Sequence, residues 1–280
     1  MRIDPHTHST ASDGTETPTQ LMTSARHAAL DVVGLTDHDT TAGWGEAAAA
    51  VPRTGVALLR GMEFSARHHG ISIHILGFLF DDADADIQTH CRRVRESRVG
   101  RARAMVERLA ADVPVNWEDV VAQVSGNATI GRPHIADALV SRGVVRTRAE
   151  AFDRFLNPRS PYYVPHYAPR ATEVIHWVKK AGGEAVFAHP QAPQRGRVVP
   201  WEAFEELAQA GLFGVEIDHR DNAPESIPCL EKVAASLHLA RFGASDYHGA
   251  GKPNRLGEHA TSPAVIEALT ERCLLEVIYP

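Results

Sequence analysis

The sequence predicts an α/β fold: a mainly parallel sheet with helices between its strands and one helical insertion in mid-chain. Three observations carry this. Short runs rich in apolar and β-branched residues recur along the 280 residues, bounded by Gly, Pro or polar residues as strands are. Segments with apolar residues at helical spacing separate them, and such alternation marks a parallel α/β architecture. From about Ile87 to Tyr167 the alternation stops, and the chain reads as helix and loop.

In order, "MRIDPHTH" is the first strand and "DVVGLTDHD", Asp31 to Asp39, the second. "GVALLRGMEFS" ends near Glu63 and "ISIHILGFLF" carries His74. Beyond the insertion, "EAVFAHP" ends at His189, "LFGVEIDH" at His219, and "LARFGASDYHG" at Asp246 and His248. Helices are expected at Pro18–Ala29, Arg170–Ala181 and Trp201–Gln209. The first opens on Thr-Pro, a residue pair suited to a helix start. The insertion, 87–167, contains "CRRVRESRVGRARAMVERLAADV", "GRPHIADALVSRGV" and "TRAEAFDRFL", and closes on the Pro-rich "NPRSPYYVPHYAP". The expected division is therefore 1–86 with 168–280 as the α/β body and 87–167 as a second unit.

Hydrophobic residues at 44% and charged residues at 23% describe an ordinary globular chain. A net charge of −6 gives no global attraction to nucleic acid or an anionic membrane. No stretch approaches the roughly 18 apolar residues of a membrane span. Cys91, Cys229 and Cys273 stand far apart without a CxxC pair, which favours a reducing cytoplasm over a disulfide framework.

Histidine is the informative excess, with sixteen in the chain. Residues i and i+2 of a strand share a face, so Asp4, His6 and His8 project together. His6 and His8 could hold a metal, with Asp4 behind them fixing an imidazole tautomer; a solvated pair near a frayed terminus is the alternative. Asp13, before Gly14, reads either as a ligand or as a turn former. His38, between Asp37 and Asp39, reads as a ligand or as part of a polar loop. Asp246 and His248 repeat the i, i+2 logic. Taken together these residues cluster at strand ends, where function gathers in barrels of this class.

"DPHTHSTASDGT", "LTDHDT", "GMEFS", "IHILGF", "AHP" and "SDYHG" resemble, in order, the motif set of the polymerase and histidinol phosphatase, or PHP, family. The match spans nearly the whole chain. Within that family, "GRPHIA" inside a helical insertion is similar to bacterial phosphoesterases that act on nucleoside 3′,5′-bisphosphates and short 5′-phosphorylated oligonucleotides. One letter departs: Pro5 stands where the family usually has Leu.

The resemblance implies a distorted (β/α)7 barrel with a helical insertion roofing two to three divalent ions of Mn, Zn or Fe. His6, His8, Glu63 and Asp246 would hold one ion and Asp13, His38 and His248 a second. Glu63 would bridge to a third, completed by His74 and His189. A thiolate-free set of imidazoles and carboxylates suits those metals, and attack on phosphorus by a metal-bound hydroxide is the expected chemistry. Arg132 is the expected phosphate contact, through the bidentate fork of its guanidinium. His134 either assists or packs the insertion. His219 is a candidate phosphate ligand or proton donor to the leaving oxygen, with Glu216 read as structural. Arg195 and Arg197 are weaker candidates. The arginines from Arg92 to Arg108 read as a solvated helix face. His27, His68, His69, His90, His166, His176, His238 and His259 match no motif and are assigned no chemistry.

The expected substrate is small, a nucleoside 3′,5′-bisphosphate losing its 3′-phosphate or a short oligoribonucleotide, since the chain lacks an array of stacking aromatics for long single strands. Phosphoribosyl 1,2-cyclic phosphate and histidinol phosphate are alternative substrates for the same ligand set. A metal-stabilised binding module without catalysis is a different class, as is an amidohydrolase. The latter's bridging lysine has no evident candidate, because Lys179 and Lys180 fall in a helix.

Overall fold

The computed structural model describes residues 1–124, 130–165 and 167–280, so His166 and the segment 125–129 lie outside the described residues. Seven strands, β1 (Ile3–Thr7), β2 (Val32–Leu35), β3 (Ala57–His68), β4 (Ile71–Phe78), β5 (Glu184–Phe187), β6 (Gly214–Asp218) and β7 (Ala240–Gly243), form one sheet in sequence order. Thr7 bridges to Tyr247 and the His8 N–H donates to the Tyr247 carbonyl at 2.8 Å, which nearly closes the sheet into a barrel. Neighbours are parallel except around β4, which runs antiparallel to both β3 and β5. The cause is local. His69 and Gly70 join β3 to β4 with φ of 43° and 79°, and a tight hairpin turn of positive φ reverses the chain.

That reversal explains the insertion. β4 descends, so the chain leaves it at the end away from the strand tips that carry His38 and His248. Helix α3 (Ala85–Leu109) follows helices α1 (Pro18–His27) and α2 (Trp44–Thr54) in the chain. Its 25 residues span about 37 Å, enough to climb from the foot of the barrel past its mouth. Ile87, Cys91 and Val94 are buried on its lower half, and Ile87 and Cys91 pack into the core between sheet and helices. Higher up, Ala102, Met105 and Leu109 enter a separate apolar cluster with Ile135, Leu139 and Phe155. That cluster unites α3 with α4 (Trp117–Val121), α5 (Arg132–Ser141), α6 (Arg148–Ala151) and a π-turn at Phe152–Leu156.

The expected helices are present as α1, α7 (Ala171–Lys180) and α8 (Ala203–Gln209). Thr17 caps α1 through the Gln20 N–H, and Gln20 reciprocates, which is why the helix starts at Pro18. Helices α9 (Ile227–Ser236) and α10 (Pro263–Thr270) complete the body.

Strand parity positions the site. In β3, Leu58, Met62 and Phe64 pack outward against the helices, while Ala57 and Leu59 join the inner cluster with Leu76, Phe78, Val186 and Phe242. Glu63 continues the inward row of β3, and His74 that of β4. The barrel interior is thus apolar at its foot and ionisable at its mouth. Pro5 is accommodated by a register shift between Asp4 and Thr7 and by close approach of β2: a Cβ on Gly34 would stand 2.0 Å from the Pro5 carbonyl oxygen.

Candidate metal centre

All nine expected ligands converge at the barrel mouth. The donor atoms of His6, His8, Glu63 and Asp246 lie within 4.8 Å of one another, as do those of His8, Asp13, His38 and His248, and those of His38, Glu63 and His74. His189 Nε2 stands 3.0 Å from Glu63 Oε1. The first two groups contain the expected sets, with His8 also within reach of the second, whereas the third brings His38 to Glu63 and His74, and His189 reaches Glu63 from outside that group. Glu63 and the ring of His6 are completely buried, as is the Asp246 side chain.

The donor set fits divalent ions. His38 Nδ1 lies 3.1 Å from Glu63 Oε2, His74 Nδ1 2.7 Å from Glu63 Oε1, and His248 Nε2 3.2 Å from Asp13 Oδ1. Yet His38 Nδ1, His74 Nδ1, His248 Nε2, Glu63 Oε2 and Asp246 Oδ1 have no hydrogen-bond partner among the described residues, although all are buried. Short separations without hydrogen-bond geometry are what converging lone pairs produce, and a cation relieves them. His6 Nε2 and His8 Nε2 face each other at 3.0 Å in the same way.

Tautomers agree. His6 Nδ1 donates to Glu216 Oε1 at 2.8 Å and His248 Nδ1 to the Asp246 carbonyl at 2.9 Å, leaving each Nε2 as a lone pair towards the cluster. His219 and His134 are opposite. Their Nδ1 atoms accept backbone N–H groups, from Asp221 at 3.0 Å and Gly131 at 3.1 Å, so each Nε2 carries the proton. His219 is buried, with its ring 5.2 Å from that of His189 and its Nε2–H unpartnered among the described residues. Burial pushes its imidazolium down to about 4, so at neutral pH it is a neutral N–H donor.

A PHP domain model matches residues 4–129. Over 285 aligned residues the chain is 32% identical to a 3′,5′-nucleoside bisphosphate phosphatase of Chromobacterium violaceum, covering 99% of this chain and 98% of that protein. It is 36% identical over 252 residues to a 5′-3′ exoribonuclease of Haemophilus influenzae, covering 88% and 90%. A solved structure from Bifidobacterium adolescentis, provisionally named a metal-dependent phosphoesterase, superposes with a TM-score of 0.94 at 44% identity, covering 97% and 96%. The chain belongs to the PHP family. It is a metal-dependent phosphoesterase.

Around this PHP centre sit carboxylates whose roles differ from those the sequence suggests. Glu216 is more than structural filling: besides holding His6, its Oε2 accepts the His189 N–H at 2.8 Å, so one buried carboxylate orients two ligands. Asp4 does not orient an imidazole as expected. Its carboxylate accepts the N–H groups of Ser245 at 3.1 Å and Gly257 at 2.8 Å, tying the loops after β7 to β1, and burial raises its pKa to about 6. Asp37 accepts the Ser9 N–H at 2.8 Å and the Ser12 hydroxyl at 2.6 Å, which shapes the turn carrying Asp13.

Arg195 reaches the centre and Arg197 does not: Arg195 donates to His189 Nε2 at 3.0 Å and pairs with Asp221 and Asp246, while Arg197 is exposed. Lys252, missed in the sequence, adds a second cation to Asp246 Oδ2 at 2.8 Å. Arg132 donates to the Leu156 carbonyl at 3.0 Å and lies near the rings of Phe152 and Tyr163. His134 lines a cleft with Thr10, Asp13 and Thr15 of the barrel and Asp137 and Arg148 of the insertion.

The arginine-rich helix also differs from expectation. Arg98 turns inward to Asp39 Oδ2 at 2.6 Å and Ser65 Oγ at 2.7 Å, and Arg101 is buried. Asp39 also meets His90 Nε2 at 3.2 Å, which gives that histidine a structural role. Only the position of α3 over the barrel decides which arginines face inward. The helix's own periodicity spreads them around several faces.

Proposed function

We propose that this phosphoesterase hydrolyses the 3′-phosphate of nucleoside 3′,5′-bisphosphates and acts on short 5′-phosphorylated oligoribonucleotides. The observation that carries the reading is the convergence of nine buried or half-buried imidazoles and carboxylates at a mouth edged by Arg195, Lys252 and the N–H donors of His219 and His134. The names of the Chromobacterium and Haemophilus relatives support the substrate class.

Two to three ions of Mn, Zn or Fe would be held by His6, His8, Glu63 and Asp246, by Asp13, His38 and His248, and by Glu63, His74 and His189. When bound, such ions supply Lewis acidity, lowering the pKa of water towards roughly 7 and offsetting phosphoryl charge. The chain's own residues do the rest. Arg195 offers a guanidinium to the phosphoryl oxygens. His219 offers its Nε2–H as a hydrogen bond to the leaving oxygen, which takes its proton from the attacking water, and His134 offers a hydrogen bond from the cleft beside Asp13. Arg132 binds substrate from the insertion, which we read as a capping unit, 87–167, over a barrel of 1–86 and 168–280. Water's oxygen joins phosphorus as the bond to the 3′-oxygen breaks, giving inorganic phosphate and a nucleoside 5′-phosphate. A cytoplasmic setting suits the three free cysteines.

Purified Mn-loaded protein assayed in parallel on a nucleoside 3′,5′-bisphosphate, phosphoribosyl 1,2-cyclic phosphate and histidinol phosphate tests this reading. Highest kcat/KM on the bisphosphate is expected; turnover of only one of the other two would overturn it.

A further inference from the structure

We propose that His68, His69 and Glu206 form a further cation site, separate from the metal centre, that takes one late first-row divalent ion, zinc by preference, and clamps the tip of the β3–β4 hairpin to α8. The donor atoms of the three residues lie within 4.8 Å of one another. His68 is five residues beyond Glu63, about 17 Å along the strand, so the phosphoesterase reading makes no use of it.

Strand parity and one positive φ bring the imidazoles together. His68 ends β3 on the face of Phe64 and Ala66, which pack against the helices, so it points away from the barrel interior and is buried there. The next residue of a regular strand would project to the opposite face. His69 instead takes a φ of 43°, and its ring stands edge-on to that of His68, with centroids 4.3 Å apart. Glu206 comes from α8. Two residues before it, Phe204 packs on Phe187 of β5 at 5.4 Å between ring centroids, and Phe187 pairs in register with Ile75 of β4. That packing sets the carboxylate beside the hairpin tip.

His69 Nε2 lies 3.2 Å and His68 Nε2 3.8 Å from the same oxygen, Glu206 Oε2. Donors around a tetrahedral zinc, each about 2.0–2.1 Å from the ion, stand about 3.3 Å apart, so small side-chain rotations seat one. A hydrogen bond between His69 and Glu206 leaves His68 out, because 3.8 Å is too long for it to share. Burial, aided by His69 and opposed by Glu206, lowers the His68 pKa, which keeps its lone pair free at neutral pH, as a ligand requires. Arg170 also feels the Glu206 charge, but it bonds Glu173 at 3.2 Å. Two imidazoles and a carboxylate suit zinc, copper or nickel better than manganese or calcium, and water completes such three-ligand zinc sites. The hairpin carries Glu63 and His74, and α8 follows the segment carrying His189. A cation here therefore braces, from outside, the three ligands expected to share one ion of the metal centre.

Equilibrium dialysis of the full chain against buffered Zn²⁺, followed by elemental analysis, tests the site by count. Wild type should retain one zinc per chain more than His69→Ala and one more than Glu206→Gln, with native circular dichroism in all three as the folding control. A variant that keeps the wild-type zinc count overturns the three-ligand site. Crystals soaked in Zn²⁺ test it by position. Anomalous difference density at the zinc edge should lie between His68, His69 and Glu206, in addition to any at the barrel mouth. Density at the mouth alone, or on His69 without Glu206, sinks the proposal. Neither measurement depends on turnover, so the outcome is independent of which phosphate ester the enzyme hydrolyses.

Discussion

Replacing Glu216 by Gln isolates the orientation of the metal ligands from their identity. The two side chains have nearly the same shape, but Gln offers one acceptor oxygen where Glu216 offers two. Both oxygens are in use, one by His6 Nδ1–H and the other by the His189 backbone N–H, each at 2.8 Å in a fully buried setting. If the amide nitrogen faces His6, two donors meet and the imidazole must shift its proton to Nε2, where it no longer ligates. If it faces His189, a buried N–H loses its acceptor at the residue whose φ of 30° most needs holding. Loss of such an orienting partner weakens metal affinity by about 10–100-fold, equivalent to about 1.4–2.7 kcal/mol. Competition against a chromophoric chelator, with elemental analysis of the dialysed protein, reads this directly. A lower Tm with unchanged metal affinity would show that Glu216 only supports the barrel, and would refute the reasoning.

Asp13→Ala and His189→Ala should each abolish turnover beyond the ~100-fold expected for an orienting residue while circular dichroism stays native; full activity in both would mean the site is wrongly assigned. Asp39→Asn breaks the buried pair with Arg98 and should cost roughly 3–5 kcal/mol in denaturant unfolding. Burial opposes the Asp39 carboxylate, but the Arg98 guanidinium and His90 hold its pKa well below the usual range, so its stabilisation is full above pH ~4 and is lost as pH falls further. The wild-type Tm should therefore drop more steeply than that of the variant below that pH, and parallel curves would count against the pair. Gly34→Ala drives a methyl into the Pro5 carbonyl and should cost about 3 kcal/mol or more, read as loss of soluble protein or a lowered Tm; a neutral effect would mean β2 can move away from β1.

The sequence alone determined the chemistry of the centre. His6, His8, Glu63, His74, His189, Asp246 and His248 sit in or just after strands, and a two-residue strand period with loops at one end suffices to bring them together. Ordered motifs of the right residue types then carry the family. What the sequence could not determine is whatever depends on how distant elements meet. Glu216 holds His6 across 210 positions, a pairing set only when the barrel closes. Arg98 meets Asp39 across 59 positions, because the antiparallel β4 sends α3 back up to the mouth with one of its faces inward. Asp4, legible as a partner for the histidines on its own strand, is captured instead by the Ser245 and Gly257 amides. The identity of a ligand is written in local pattern. Its orientation, and which arginines face inward, follow from long-range packing, which only the tertiary structure decides.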